Sequence, residues 1–374
     1  MSLTGSTRYI HLPVYSKLSL ITIGILAFFY ILYVGADILV PLVFSFIFAI
    51  LLNPVVNFFC GKGLNRVLAI FVSLLISFAV ILGTLYFIGI QLSLFTESLP
   101  QFKEHFTKFL DDTILWISEK FHIAKPNIDG WVEKIKNDGM SNGPAMIGQT
   151  LGTVSGVLAV VLLLPVYMFT ILYYKPLLLE FVAEMFDKKR HPLVAEVLTE
   201  TKALIQSYLV GLLIEMLLVA AMNSIGLLFI GVKYAVLIGT IGAILNLIPY
   251  LGGIVAILLP VLMALATGNP SQAIWSIALY LVVQFIDNNI IVTKVVASKV
   301  KINALISIVV VLIGGALWGL SGMFLSIPIT AIAKVIFDRI ENLKPLGFLL
   351  GDNQPDVTKE IFKFKKRKVP KPEA

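Results

Sequence analysis

The stretch LNLIPYLGG, from Leu245 to Gly253, divides the long apolar run between Tyr234 and Ala266. YAVLIGTIGAI precedes it and IVAILLPVLMALA follows it. Pro249 has no backbone N–H and cannot continue a regular helix. Gly252 and Gly253 open backbone angles closed to other residues. Asn246 places a polar side chain beside this break. In hydrocarbon, broken backbone persists only where protein or a water-filled cavity surrounds it. Such a break within an apolar run marks a candidate substrate or ion site. The alternative is a Pro/Gly kink that only shapes a helix.

Composition sets the class around this stretch. Of 374 residues, 58% are hydrophobic and 14% charged, and the mean hydropathy is +0.94. Soluble domains carry about 25% charged residues. Several apolar runs are long enough to cross a core about 30 Å thick. The single cysteine, Cys60, excludes an intramolecular disulfide and any cysteine-based metal cluster. Near the N-terminus, Leu18–Val34 is followed after Gly35-Ala36-Asp37 by another apolar run. A cleaved signal would be followed by a polar mature chain, so a tight helical hairpin is expected instead.

The runs Leu18–Val34, Ile38–Phe59, Val67–Phe95, Leu151–Tyr174, Tyr208–Ile230 and Ala273–Val292 read as membrane helices. Two more stretches, Tyr234–Ala266 and Ala304–Phe337, are each broken near the middle. The expected fold is therefore all-α, a polytopic transmembrane bundle of about eight segments, two of them broken hairpins. Lys62 and Arg66, then Lys175, Lys188, Lys189, Arg190 and Lys202, then Lys294, Lys299 and Lys301 concentrate in alternate loops. The tail adds Lys363, Lys365, Lys366, Arg367 and Lys368. The positive-inside rule puts these loops, and both termini, in the cytoplasm of a bacterial inner-membrane protein.

That ordering constrains the broken stretches. Tyr234–Ala266 must start and end outside, so it must cross an even number of times. It is too long for one span and short for two. A re-entrant hairpin turning at Pro249–Gly253 fits. Ala304–Phe337 must likewise start and end inside, turning near ALWGLSGM, Ala316–Met323. Two hairpins entering from opposite faces are what an inverted repeat produces. The sequence echo between LGGIVAILLP (251–260) and LSGMFLSIP (320–328) is weak.

Residues 1–374 read as one integral membrane domain with three polar additions. An extracytoplasmic insertion, 96–150, carries Phe102, Phe106, Phe109, Leu110, Thr113, Ile117 and Phe121 on one helical face. A cytoplasmic segment, 175–206, contains an amphipathic helix from Pro192 to Gln206. The tail, 345–374, ends in the basic run FKFKKRKVPKP. A juxtamembrane cluster of this kind is drawn to an anionic inner leaflet, and no nucleic-acid partner is expected. Gly148, Gly152 and Gly156 form a small-residue ridge suited to close helix packing.

Two carboxylates stand within apolar spans. In LYLVVQFIDNNIIV, Tyr280, Gln284, Asp287 and Asn288 recur on one helical face. Charge within a membrane is costly and usually faces a cavity, a partner or a pathway. Asp287 is thus part of a polar lining that meets the hairpins, or an interfacial acid paired with Lys294 or with a helix terminus. Glu215, in GLLIEMLL, is placed deeper still. It is a candidate proton carrier, a structural partner for a lysine, or a residue facing a cytoplasmic vestibule. Asn223 stands two turns beyond it. His11, His105, His122 and His191 lack ligand spacing, and no Walker A, HExxH or G-x-S-x-G pattern occurs. The chain is expected not to be an enzyme and to hold no cofactor or metal.

These segments, in this order, resemble the AI-2E family of transporters, the autoinducer-2 exporter family. ADILVPLVFSFIFAILLNPVVNFF with GLNRVLAIFVSLL resembles its first spans. Gln91 followed by Pro100 resembles the exit from its third span. IGLLFIGVKYAVLIGTIGAILNLIPYLGGIVAILLPVLMAL (225–265) resembles its most specific signature. FIDNNIIVTKVVASKVKINAL and LIGGALWGLSGMFLSIPITAIAKVI resemble the segments that close it. The likeness covers roughly residues 10–340. By position, Asn246, Pro249, Tyr250, Gly252, Gly253, Asp287 and Asn288 match its pattern, as do Gly314, Gly315, Gly319, Gly322 and Pro328. Leu212 stands where a Gln is common, Thr293 where a Pro is common, and Ala297-Ser298 where a Gly is common.

The resemblance implies export of a small polar signal molecule for some members and sodium or lithium exchange against protons for others. It also implies homo-oligomers, a pentamer among them, with elevator-like movement of the hairpin region against a scaffold. Export of a small polar solute, coupled to an ion gradient, is the first expectation, with Glu215 or Asp287 carrying the coupling charge. Asn246, Pro249, Tyr250, Gly252, Gly253, Gln284, Asp287 and Asn288 would line the site. A cation/proton antiporter using the same carboxylates is the second. A non-transporting scaffold that binds partners through 96–150 and the basic tail is the third.

Overall fold

A computed structural model of the chain describes residues 13–97, 104, 107–108, 111, 115, 120, 154–248, 251–267, 269–296 and 302–353. Nearly all are helical. The helices are α1 (Val14–Val34), α2 (Ala36–Gly61), α3 (Arg66–Glu97), α4 (Val154–Tyr173) and α5 (Lys175–Glu184). They continue with α6 (His191–Ile230), α7 (Ala235–Asn246), α8 (Leu251–Ala266), α9 (Pro270–Ile286), α10 (Ala304–Arg339) and α11 (Lys344–Leu350). A π-helical segment, Asp287–Val296, extends α9. Among the described residues six helices are long and apolar enough to cross a membrane, or seven with the bent pair α4–α5. The protein is a polytopic, multi-pass membrane protein. The insertion at 96–150 falls almost wholly outside the described residues, as do Gly148, Gly152 and the basic run of the tail.

α1 and α2 meet at Gly35, whose N–H bonds the Ile31 carbonyl, forming the expected tight hairpin. α6 differs from expectation in being one helix of 40 residues. The expected amphipathic helix and the span beginning at Tyr208 are thus continuous. No Gly or Pro lies between Leu193 and Val210 to stop it, and unbroken i→i+4 bonding carries the helix out of the apolar layer. Gly231, at φ 81°, ends it in the left-handed conformation.

The break in Tyr234–Ala266 is a hairpin. α7 and α8 run back along each other, with Gly242 so near Ala256 that an added Cβ would lie 3.3 Å from the alanine's own. α7 also lies hard against α6: a Cβ on Gly239 would fall 2.6 Å from the Ser224 backbone nitrogen. Leu227, Val232, Ala235, Ile238 and Met263 close the base of this hairpin in one apolar cluster. Gln272, at the start of α9, donates to the Gly231 carbonyl at the same end.

α10 is long enough for a single crossing yet folds back on itself. Trp318 and Gly319 leave helical geometry, with Gly319 at φ 59° and ψ −139°, a region open essentially to glycine. Residues eight apart in a straight helix are separated by about 12 Å. Here a Cβ on Gly322 would overlap the Gly314 carbonyl oxygen, so the two legs touch backbone to backbone. Both ends of the hairpin sit at one face, because Asn303 donates through Nδ2 to the carbonyls of Leu349 and Gly351. Its tip reaches the far ends of α1 and α2, where Trp318 Nε1 donates to the Leu32 carbonyl at 2.9 Å.

The central core joins α2, α6 and both legs of α10 through Ile47, Ile205, Tyr208, Leu209, Leu212, Val311, Leu325 and Ile327. Phe44 stacks on Phe324 in the same layer. The cationic ends collect at one face. Lys175 Nζ donates to Asn53 Oδ1, Gln206 to the Ile50 carbonyl, and Arg339 pairs with Glu196 and Glu200 near the start of α6. α1 buries none of its residues fully and leaves most of its apolar surface exposed.

Candidate functional site

The first hairpin delivers Asn246 to the two intramembrane carboxylates. Asn246 is the last residue of α7, immediately before the break. Its Nδ2 donates to Asp287 Oδ2 at 3.0 Å and reaches Glu215 Oε1 at 3.5 Å. Glu215 projects from α6, 15 residues before its end, or about 22 Å at 1.5 Å per residue. Asp287 begins the π segment, where the i→i+5 pattern inserts an extra residue into the turn; such π bulges favour functional sites. Glu215 is 6% exposed and Asp287 1%.

This arrangement is short of positive charge. Among the described residues no ion pair includes Glu215 or Asp287, and Asp287 Oδ1 is buried without a hydrogen-bond partner. Pairing of Asp287 with Lys294, open from the sequence, does not occur; Lys294 is exposed one turn and a half beyond. Among the described residues Glu215 likewise has no lysine partner, and its side chain is buried. Two buried carboxylates share a single neutral donor. A proton or a small cation held between them would offset their repulsion.

The other polar residues of the span form a separate ladder. Tyr280 Oη donates to Gln284 Oε1 at 2.9 Å, and Gln284 Nε2 donates to Asn288 Oδ1 at 3.1 Å. The face expected to hold Tyr280, Gln284, Asp287 and Asn288 together therefore divides. Consecutive residues on a helix point about 100° apart, so Asp287 turns into the α6–α7 interface while Asn288 is exposed. Gly253 rests on the ladder's inner end, its Cβ position 2.8 Å from Tyr280 Oη. A water-sized cavity of about 10 Å³ lies beside it, bounded by Asn223, Ser276, Tyr280, Gly239 and Gly242.

Asn246, Glu215 and Asp287 thus form one group, and Gly253, Gln284 and Asn288, with Tyr280, form another. Pro249 and Tyr250 lie outside the described residues, and Gly252 is described only as part of α8. Gly314, Gly315, Gly319, Gly322 and Pro328 build the second hairpin and do not touch the carboxylates. Their legs supply Val311, Leu325 and Ile327 to the cluster on which Leu247 and Val292 pack, so they support the floor of the site. Tyr208, buried two turns before Glu215 on the same helix, and Ser276 escaped the sequence reading. Neither stands out within its apolar run, because a lone hydroxyl carries no periodic signal.

Comparison with known proteins gives a consistent result. A family described as AI-2E family transporter matches residues 20–342. The Escherichia coli protein YhhT is 25% identical over 328 residues, covering 87% of this chain and 91% of its own length. YrrI of Bacillus subtilis is 26% identical over 318 residues, covering 80% of this chain and 85% of its own. The AI-2 transport protein TqsA of Escherichia coli is 24% identical over 326 residues, with 85% and 90% covered.

Proposed function

The chain belongs to the AI-2E family of membrane transporters, and from that premise we propose that it is a secondary transporter coupled through Glu215, Asn246 and Asp287. The observation that carries this reading is the pair of buried carboxylates converging on one amide, with Asp287 Oδ1 left unpartnered. A protonated or cation-loaded pair is locally neutral; an empty pair is doubly charged in apolar surroundings. Alternate loading with a proton and with sodium or lithium is exchange of the cation against protons. Asn246 couples that loading to the hairpin, because the same side chain that touches both acids ends α7.

Movement of the hairpin region against α1–α3, within a homo-oligomer, would carry the site between faces. The gathering of Lys and Arg ends at one face supports an inner-membrane orientation with both termini in the cytoplasm. A second reading, export of a small polar solute, is favoured by the likeness to TqsA, named as an AI-2 transport protein. The Tyr280–Gln284–Asn288 ladder supplies neutral donors and acceptors suited to hydroxyl groups on such a solute.

Proteoliposomes holding a pH-sensitive dye separate the two. Proton movement on adding sodium or lithium, lost in Asp287→Asn and Glu215→Gln, is the expected result. Correctly folded protein that moves no protons would move the weight to organic-solute export. Full activity in both variants would remove the carboxylates from the mechanism.

A further inference from the structure

A second polar cluster lies at the Lys/Arg face, away from the carboxylates. α4 ends at Tyr173, and the chain bends by 62° into α5. α5 turns Leu177 and Phe181 outward. An apolar helix laid across the end of a span suits the boundary between headgroups and acyl chains. Beneath it, between α2, α4 and the first third of α6, is a cavity of about 290 Å³. That is close to the lower end of ligand-pocket sizes, about 300–1,000 Å³.

The walls are mostly apolar, with Ile50, Ile171, Leu178 and Leu198 among them. The nitrogen-bearing side chains that line it, Asn53, Lys175 and Lys202, all present donors. Lys175 Nζ donates to Asn53 Oδ1 at 3.0 Å. That bond fixes the amide, since an ammonium cannot accept, and leaves Asn53 Nδ2 as a donor. Asn53 is 6% exposed, and its Nδ2 is buried with no acceptor. Arg66 stands near, its Nη2 donating to the Leu172 carbonyl at 2.7 Å.

Among the described residues none of these three cations has a carboxylate partner. Burial, followed by repulsion from Lys202 and Arg66, holds the Lys175 ammonium below its ordinary pKa. A buried unpaired donor and unneutralised cations call for an anion. The apolar walls call for a hydrocarbon chain attached to it. The position at the boundary selects a molecule already resident in the leaflet.

We propose that this cavity binds an anionic phospholipid, its phosphate accepting from Lys175, Lys202 and Asn53 Nδ2 while an acyl chain lies along Ile50, Ile171 and Leu178. The lipid would tie the interfacial helix α5 to α2 and to the extended part of α6. This binding is independent of the transported species.

The test is native mass spectrometry of detergent-solubilised full-length protein titrated with phosphatidylglycerol or phosphatidylcholine. Phosphatidylglycerol should be retained in preference to phosphatidylcholine. Lys175→Gln with Lys202→Gln should weaken retention about 25-fold, from two contacts each changing affinity about fivefold. Lys188→Gln with Lys189→Gln removes equal charge from the same face and should leave retention unchanged. Thr199→Trp keeps every charge but fills the cavity, and should also reduce retention; it carries the test if the double lysine variant does not fold. Equal retention of the two lipids, or no loss in Thr199→Trp, would overturn the proposal. Displacement of the lipid by millimolar inorganic phosphate would also overturn it, showing a free-anion site instead.

Discussion

Gly239→Ala tests how the carboxylate site is held. The glycine sits on α7 where that helix crosses α6. A methyl there would fall 2.5 Å from Ser224 Oγ, 2.6 Å from its backbone nitrogen and 2.9 Å from its Cα. A rotamer change can move the hydroxyl, but the nitrogen and Cα belong to the α6 backbone. Restoring an ordinary contact of 3.4 Å from 2.6 Å requires α7 to withdraw by about 0.8 Å, and overpacking of this kind costs about 1–3 kcal/mol. Asn246 lies two turns further along α7. The same withdrawal would stretch its 3.0 Å bond to Asp287 past the hydrogen-bonding range and lose its 3.5 Å reach to Glu215 altogether.

A displacement near 1 Å at a functional centre reduces rate about 100-fold. The variant should therefore lose cation-driven proton flux out of proportion to its stability. Melting in detergent should fall by on the order of 5 °C. Gly83→Ala, where a Cβ would meet nothing within 4 Å, is the matched control and should change neither quantity. Ser224→Ala added to Gly239→Ala removes only the hydroxyl and should rescue little, because the backbone nitrogen and Cα remain. Unchanged flux and melting in Gly239→Ala would refute the close α6–α7 contact, and with it the means by which Asn246 is positioned.

Gly319→Ala should destabilise by about 1–3 kcal/mol, because φ 59° with ψ −139° is closed to a residue with a Cβ; thermal melting reads the loss. Asn303→Ala removes the cap on α10 and two bonds to α11, and should lower stability by about 1–3 kcal/mol and raise hydrogen exchange at 303–306 and 349–351. Gly253→Ala meets only the end of the Tyr280 side chain, so its effect on melting should be smaller than that of Gly239→Ala. Breaking the Tyr280–Gln284 bond should still alter transport, and Tyr280→Phe in the same protein should relieve the clash without restoring the bond.

The hairpins and the carboxylates were legible in the sequence for different reasons. Proline and glycine inside an apolar run interrupt a pattern that hydrocarbon otherwise enforces, so both turns could be placed to within a few residues. The distribution of Lys and Arg required each broken stretch to return to its starting face, and both do. Glu215 and Asp287 were conspicuous because charge is rare in such surroundings. What no periodicity could supply was their partner. The choice between Lys294 and Asn246 for Asp287 depends on where α7 crosses α6, a distance set by Gly239 through packing.

The sequence by itself therefore determined that this chain crosses the membrane many times, where its spans break, and which face gathers its cations. Those properties follow from transfer free energy summed over local segments. Only the tertiary structure decided that Asp287 and Asn288, adjacent in the chain, serve different surroundings. It alone revealed a π segment beginning at the carboxylate, a 40-residue α6 in place of two helices, and a buried amide at Asn53 beside lysines that have no carboxylate partner among the described residues. Asn246 meets Glu215 and Asp287 across 31 and 41 positions and Lys175 meets Asn53 across 122, separations at which a local pattern carries no information about which side chains will meet.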